Sequence, residues 1–177
     1  MARIIAIANQ KGGVGKTTTC VNLAASLAAT QRRILLIDLD PQGNATMGCG
    51  IDKMNLEFTS CEGLLGEASA ADTIVSASEG VFGGMPGNED LTVAEVKLLQ
   101  EIGRELRLRK ALQPVVGLYD FILIDCPPSQ SLLTIMALVA SDELVVPLQT
   151  EFFALEGLTQ LMKTIERIKS NLNPSLS

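Results

Sequence analysis

The chain has 177 residues, 47% of them hydrophobic and 19% charged, with a net charge of −6. That composition suits a globular domain with a sizeable core and excludes a disordered chain. The absence of His rules out a His-dependent catalytic triad or a histidine metal site, and the acidic balance gives no global signal for nucleic acid.

The first predicted element is a buried strand over Arg3–Ala8 (RIIAIA), too short for a signal-peptide core. A glycine-rich loop follows, and Lys16–Ala29 reads as a helix. Arg33–Leu39 (RILLIDL) is a second apolar strand ending in acids. Leu56–Gly66 and Ala70–Ala77 are expected to be short helices. Gly80–Gly87 (GVFGGMPG) sits where a strand is due, but its glycines weaken that reading.

Thr92–Leu112 carries apolar residues at Val93, Val96, Leu99, Ile102 and Leu106, a helical stripe that Pro114 ends. Phe121–Asp125 (FILID) is a third strong strand. Ser129–Ala140 is a helix apolar nearly all round, and Leu144–Leu148 (LVVPL) is a fourth strand. Ala154–Lys169 is amphipathic, with Leu155, Leu158, Leu161, Met162, Ile165 and Ile168 on one side. Uninterrupted apolar strands alternating with helices predict an α/β fold: a three-layer, mostly parallel sheet with helices on both faces. One domain over residues 1–177 is expected. No segment approaches the ~20 apolar residues of a spanning helix. The scattered Cys20, Cys49, Cys61 and Cys126 form no C-x-x-C pair and read as reduced cytosolic thiols.

The loop NQKGGVGKTT, Asn9–Thr18, is a phosphate cradle with a twist. Gly15, Lys16 and Thr17 close the pattern G-x-x-x-x-G-K-[ST], but position 10 is Gln and a second lysine stands at 11. Gly12, Gly13, Val14 and Gly15 can turn backbone N–H groups toward anionic oxygens, and the helix opening at Lys16 adds its positive end. Lys16 is placed to reach β- and γ-phosphates and Thr17 to bring a hydroxyl to Mg²⁺. A magnesium site also needs acids at strand tips. Asp125 ends FILID, the Walker B arrangement, and Asp38 and Asp40 end the second strand, where one can orient an attacking water.

KGGVGKTT, LLIDLDPQGN, FILIDCPPS and PLQTEFFALEGL together resemble the ParA/Soj chromosome- and plasmid-partition ATPases, within the wider MinD/ParA group with its deviant phosphate loop. The resemblance runs the whole length and is weakest over Glu57–Leu118. It implies a P-loop ATPase that binds ATP and Mg²⁺ and pairs face to face as an ATP-dependent homodimer. In that dimer Lys11 would serve the partner subunit's nucleotide in trans while Lys16 serves in cis. By the same resemblance Thr18 contacts phosphate, Asp40 positions the water at the metal site, Asp125 is the Walker B acid and Glu151 contacts the ribose across the dimer.

The family further implies a ParB-like activating partner, nonspecific DNA binding by the full-length form, no membrane, and a cytoplasmic, nucleoid-associated location. The family's adenine-gripping and DNA-binding segments would follow Ser177, so the chain reads as a copy lacking the C-terminal third. Met136 departs from the Asn of many members. Two other readings stay open: a MinD-like membrane-cycling ATPase, and a nucleotide-binding module without turnover.

Overall fold

The computed structural model describes residues 1–150 and 154–177. Its strands are β1 (Arg3–Ile7), β2 (Ile34–Asp38), β3 (Val75–Ala77), β4 (Phe82–Met85), β5 (Phe121–Asp125) and β6 (Glu143–Val145). They form one sheet in the order β3-β4-β2-β5-β1-β6. Every pair is parallel except β3 with β4.

The principal helices are α1 (Lys16–Ala29), α2 (Asn44–Gly48), α3 (Ser60–Leu65), α4 (Ala70–Thr73), α5 (Asp90–Leu98), α6 (Arg107–Leu112), α7 (Leu132–Ala140) and α8 (Ala154–Asn171).

Strand side chains alternate between the two faces, and that alternation splits the core in two. Ile5, Ile7, Ile34, Leu36 and Leu123 pack with Cys20 and Ala24 of α1 and Ala45 of α2. Ile4, Ala6, Leu35, Ile37, Ile122 and Ile124 pack with α3, α5, α6, α7 and Ile168 of α8. This is the expected three-layer α/β arrangement.

Several boundaries differ from the sequence reading, each for a physical reason. Residues 70–77 are not one helix. Ser69 caps a single turn, and the β-branched Val75 then leads into an antiparallel edge strand. The strand in GVFGGMPG does form, because its glycines admit neighbours. A Cβ on Gly84 would lie 2.6 Å from Ile51 Cδ1, and one on Gly83 would lie 3.1 Å from the Tyr119 hydroxyl.

The helix expected over 92–112 breaks into α5 and α6. Gly103 takes φ 70, and Arg104 Nη1 donates to Leu99 O. Its buried face is Leu91, Ala94 and Leu98, whereas the expected stripe of Val93, Val96, Leu99 and Ile102 is exposed. Two interleaved apolar rows occupy that helix, and the sequence alone does not say which one meets the sheet. In α8, Leu161 and Ile168 are buried while Leu155 and Met162 are exposed. β6 stops at Val145, two residues before Pro147, which has no N–H for the ladder. Among the described residues no helix is long and apolar enough to cross a membrane.

Candidate functional site

β1, β2 and β5 point the same way and are in register. Ile7 lies beside Asp125, and Asp125 beside Asp38. The loops leaving their carboxyl ends therefore share one rim of the sheet, where open α/β folds place ligands.

The glycine loop leaves β1. Gly13 and Gly15 adopt φ 73 and φ 87, a region L side chains avoid, and nothing lies within 4 Å of where a Cβ would stand on Gly12, Gly13 or Gly15. α1 then starts with no side-chain cap and no acid in its first turn. Its leading N–H groups and positive dipole end are thus left to an outside anion.

Lys16 opens that helix and is only 6% exposed. Its Nζ donates to Lys11 O at 2.9 Å. Burial lowers its pKa, and the nearby charges of Asp125 and Asp40 oppose that shift. Thr17 Oγ1 donates to Asp125 Oδ2 at 2.7 Å. Asp125 is fully buried, and its Oδ1 finds no hydrogen-bond partner among the described residues. Desolvation raises its pKa to about 7, with the Asp38 and Asp40 charges adding to the rise and the Thr17 bond opposing it.

Asp38 and Asp40 do different work. The strand ends at Asp38, so the two carboxylates do not share a strand face. Asp38 is buried and saturated. It accepts from Asp40 N at 3.0 Å, Thr46 N at 2.8 Å and Thr46 Oγ1 at 2.7 Å. Thr46 Oγ1 also accepts from Gly87 N at 2.9 Å. Gly87 must be glycine there, because a Cβ would stand 2.5 Å from Asp38 O. Asp38 is thus the anchor of the 39–46 turn. Asp40, carried by that turn, accepts from Gln42 N at 3.0 Å and lies close enough to Lys16 to raise the pKa of its ammonium.

Among the sequence-predicted residues, Lys16, Thr17, Asp40 and Asp125 come together. Val14 is buried, Lys11 is half-buried, and Thr18 is exposed. Glu151 lies outside the described residues. Sequence reasoning passed over Asn9, Thr46 and Gln149. Asn9 carried a readable signal, an Asn two residues before the amide it accepts; Thr46 and Gln149 carried none, since their partners are remote in sequence. All four cysteines are free and buried, and burial pushes Cys49 and Cys61 up to about 11 and the thiols of Cys20 and Cys126 well up, so all four stay neutral.

The raised Asp125 has a consequence for stability. An unfolded Asp ionises near pH 4, whereas the folded one holds its proton to about 7. Between those values unfolding releases a proton, so stability falls as pH rises and levels off above 7. The slope has a ceiling of about 1.4 kcal/mol per pH unit per group. The chain has no His, and burial also raises the Asp38 carboxyl above the usual range. Asp125→Asn should flatten most of that slope in urea denaturation series. Parallel curves for the two proteins would refute the assignment.

A glycine loop between β1 and α1, with a buried acid at the tip of the neighbouring parallel strand, defines the P-loop nucleoside-triphosphatase fold. Residues 2–177 match the AAA domain family. An uncharacterized protein of Pseudomonas putida is 60% identical over 99% of this chain and 67% of its own length. The chromosome partitioning protein ParA of Myxococcus xanthus is 52% identical over 99% of this chain and 62% of its own. The sporulation initiation inhibitor protein Soj of Bacillus subtilis is 50% identical over 99% and 70%. The chain belongs to the AAA domain family and, within it, to the ParA/Soj-type proteins. It spans about two thirds of the length of these relatives.

Among solved structures, cobyrinic acid a,c-diamide synthase from Mycobacterium smegmatis with bound ATP analog and magnesium superposes with a TM-score of 0.95. It is 43% identical and covers 99% of this chain and 72% of its own. The ATP complex of McdA from Cyanothece gives 0.89 at 25% identity over 96% of this chain and 65% of its own.

Proposed function

We propose that residues 1–177 form a P-loop ATPase domain that binds magnesium ATP and hydrolyses it to ADP and phosphate. In the whole protein that cycle would drive chromosome or plasmid DNA segregation. The observation that carries the reading is the unpartnered, buried Oδ1 of Asp125 beside the Thr17 hydroxyl, at the mouth of an uncapped helix and a glycine cradle. An acid so placed suits a hard divalent cation. Among the described residues no group of three or more His, Cys, Asp or Glu is arranged to hold a metal. That fits Mg²⁺, which keeps several waters, takes substrate phosphate oxygens and needs only one or two protein groups. Relatives named for chromosome partitioning are 51–52% identical, above the 43% of the synthase, and favour the segregation role.

In this reading the amides of Gly12, Gly13, Val14 and Gly15 bind the phosphate oxygens. Lys16 Nζ leaves Lys11 O, a bond it makes only within its own loop, and turns to the β- and γ-phosphates. Thr17 Oγ1 and Asp125 hold Mg²⁺, directly or through water, with Asp40 at the edge of that site. Bound there, the ion would neutralise charge on the β- and γ-phosphate oxygens. Asp40 orients the attacking water, and Thr18 adds a phosphate contact. Lys11 delivers a second cation to a partner subunit's nucleotide in an ATP-dependent homodimer, as a trans arginine finger does. Glu151 would contact the ribose across that dimer. A ParB-like protein would stimulate turnover, and DNA would be bound nonspecifically in the cytoplasm.

Measuring ATP turnover with and without DNA and a ParB-like peptide tests the reading, and absence of magnesium-dependent ATP binding overturns it. Lys11→Ala in the full chain should keep nucleotide affinity within a few fold, yet lose turnover by about 10³-fold, the lower range for a trans cation on a transferring phosphoryl group. Wild-type turnover in that variant would remove Lys11 from the mechanism.

A further inference from the structure

We infer that Asn9 and Gln149 are positioning residues that clasp the phosphate loop to the segment following β6, and so set how tightly it holds nucleotide; the inference rests on the nucleotide-binding reading above. The backbone ladder between β1 and β6 ends where the clasp begins. Ile7 pairs with Val145, and Ala8 N donates to Val145 O at 3.1 Å. Pro147 then has no N–H to continue it. Two side chains take over across the gap. Asn9 is 6% exposed, and both ends of its amide are used. Oδ1 accepts from Lys11 N at 3.1 Å, and Nδ2 donates to Pro147 O at 2.7 Å. From the other side Gln149 Nε2 donates to Gly13 O at 3.1 Å.

The loop needs such ties. Three of its residues are glycines with open space where a Cβ would be, so packing does not fix its shape there. Glycine also loses more conformational freedom on ordering than any other residue. A carbonyl tied in one direction fixes the rest of its peptide plane. Because the C=O and the following N–H of a trans peptide point opposite ways, holding Gly13 O against Gln149 turns Val14 N–H away from the 147–149 segment. The bond of Lys16 to Lys11 O must be given up when Lys16 turns to a phosphate. The Asn9 and Gln149 bonds need not break, so they preorganise the cradle through the binding step.

Gln149 is exposed, so its removal should leave folding intact. Gln149→Met keeps length and loses the amide, and with it the donor to Gly13 O. Asn9→Ser keeps a hydroxyl that can accept within the local turn and loses the tie to Pro147. The measurements are amide hydrogen exchange of residues 11–16 in the ligand-free protein, magnesium ATP affinity, turnover at saturation and melting temperature.

Each variant should speed loop exchange and raise the Kd about threefold to tenfold, the worth of one ordinary hydrogen bond. Turnover at saturation should hold, as should the melting temperature of Gln149→Met. Unchanged exchange in Gln149→Met overturns the clasp, whether or not the protein binds nucleotide. Faster exchange with unchanged affinity overturns the positioning role. Failure of the wild type to bind magnesium ATP strikes the functional reading instead, and is told apart because exchange is read without ligand.

Discussion

Asp40→Ala is expected to bind magnesium ATP within a few fold of the wild type and to hydrolyse it about 10²- to 10⁴-fold more slowly, the usual range for losing a positioned proton acceptor. Near-normal binding follows from the division of labour between the two acids after β2. Asp38 holds the 39–46 turn through the amides of Asp40 and Thr46 and the Thr46 hydroxyl, and none of those bonds uses the Asp40 side chain. Alanine removes one bond, from Gln42 N, and one negative charge.

That charge opposes phosphate and raises the pKa of Asp125, so its loss favours nucleotide if anything. In the proposed function, what is lost is the group that orients water. An ATP-dependent dimer of Asp40→Ala should therefore persist, since the contacts remain and only the chemistry stops. Asp40→Asn separates the remaining possibilities. It can still accept from Gln42 N but is a poor proton acceptor, so a defect due to lost turn geometry would be repaired and one due to lost basicity would not. Single-turnover hydrolysis beside equilibrium binding, with DNA and an activating partner present, decides it. Turnover of Asp40→Ala within threefold of the wild type would sink the role.

The readable parts of this molecule were those with local causes. The apolar strands RIIAI, ILLID and FILID, the helix Lys16–Ala29 and the loop between Ala8 and Lys16 all appear close to where pattern placed them. A buried parallel strand has no polar face to blur its signal, and a glycine loop opening a helix is a short-range feature. The segment from 56 to 118 was harder because its burial is decided by remote partners. Gly83 and Gly84 weaken a strand on propensity but accommodate Tyr119 and Ile51 in the fold. The α5 helix offers two apolar rows, and the row expected to be buried, with Val93 and Val96, is the exposed one.

At the site, the meeting of Lys16, Thr17 and Asp125 was legible because a glycine loop opening a helix and an acid ending a neighbouring parallel strand come to the same rim of the sheet. The roles of Asp38 and Thr46 were not, because a carboxylate that binds ligand and one that anchors a turn look alike until their donors are seen.

Lys16→Ala is expected to cost magnesium ATP affinity by at least about 10²-fold, since a charge-assisted hydrogen bond is worth roughly 1.5–3 kcal/mol and the ammonium can reach two phosphates. The variant should nonetheless fold. In the free protein Lys16 is a buried cation whose pKa is lowered chiefly by desolvation, so it is held at a cost. Its ammonium donates to a carbonyl of its own loop, Lys11 O, in a partly buried bond at the rim of the sheet. Alanine also suits the first turn of a helix, having the best intrinsic propensity.

The melting temperature without ligand should therefore stay close to that of the wild type, while the rise that magnesium ATP gives the wild type should vanish. The variant has a second signature. Lys16 is one of the groups holding the pKa of Asp125 down, so removing it pushes that carboxyl further up. The pH at which stability levels off should then move above 7. Lys16→Arg is the control for charge alone: it keeps the cation, but its planar fork does not match a compact ammonium at a phosphate cradle, and affinity should remain low. Calorimetric titration of the three proteins, with thermal unfolding from pH 5 to 8, measures both effects. Wild-type affinity in Lys16→Ala would show that the cradle binds phosphate through backbone alone and would remove Lys16 from the site.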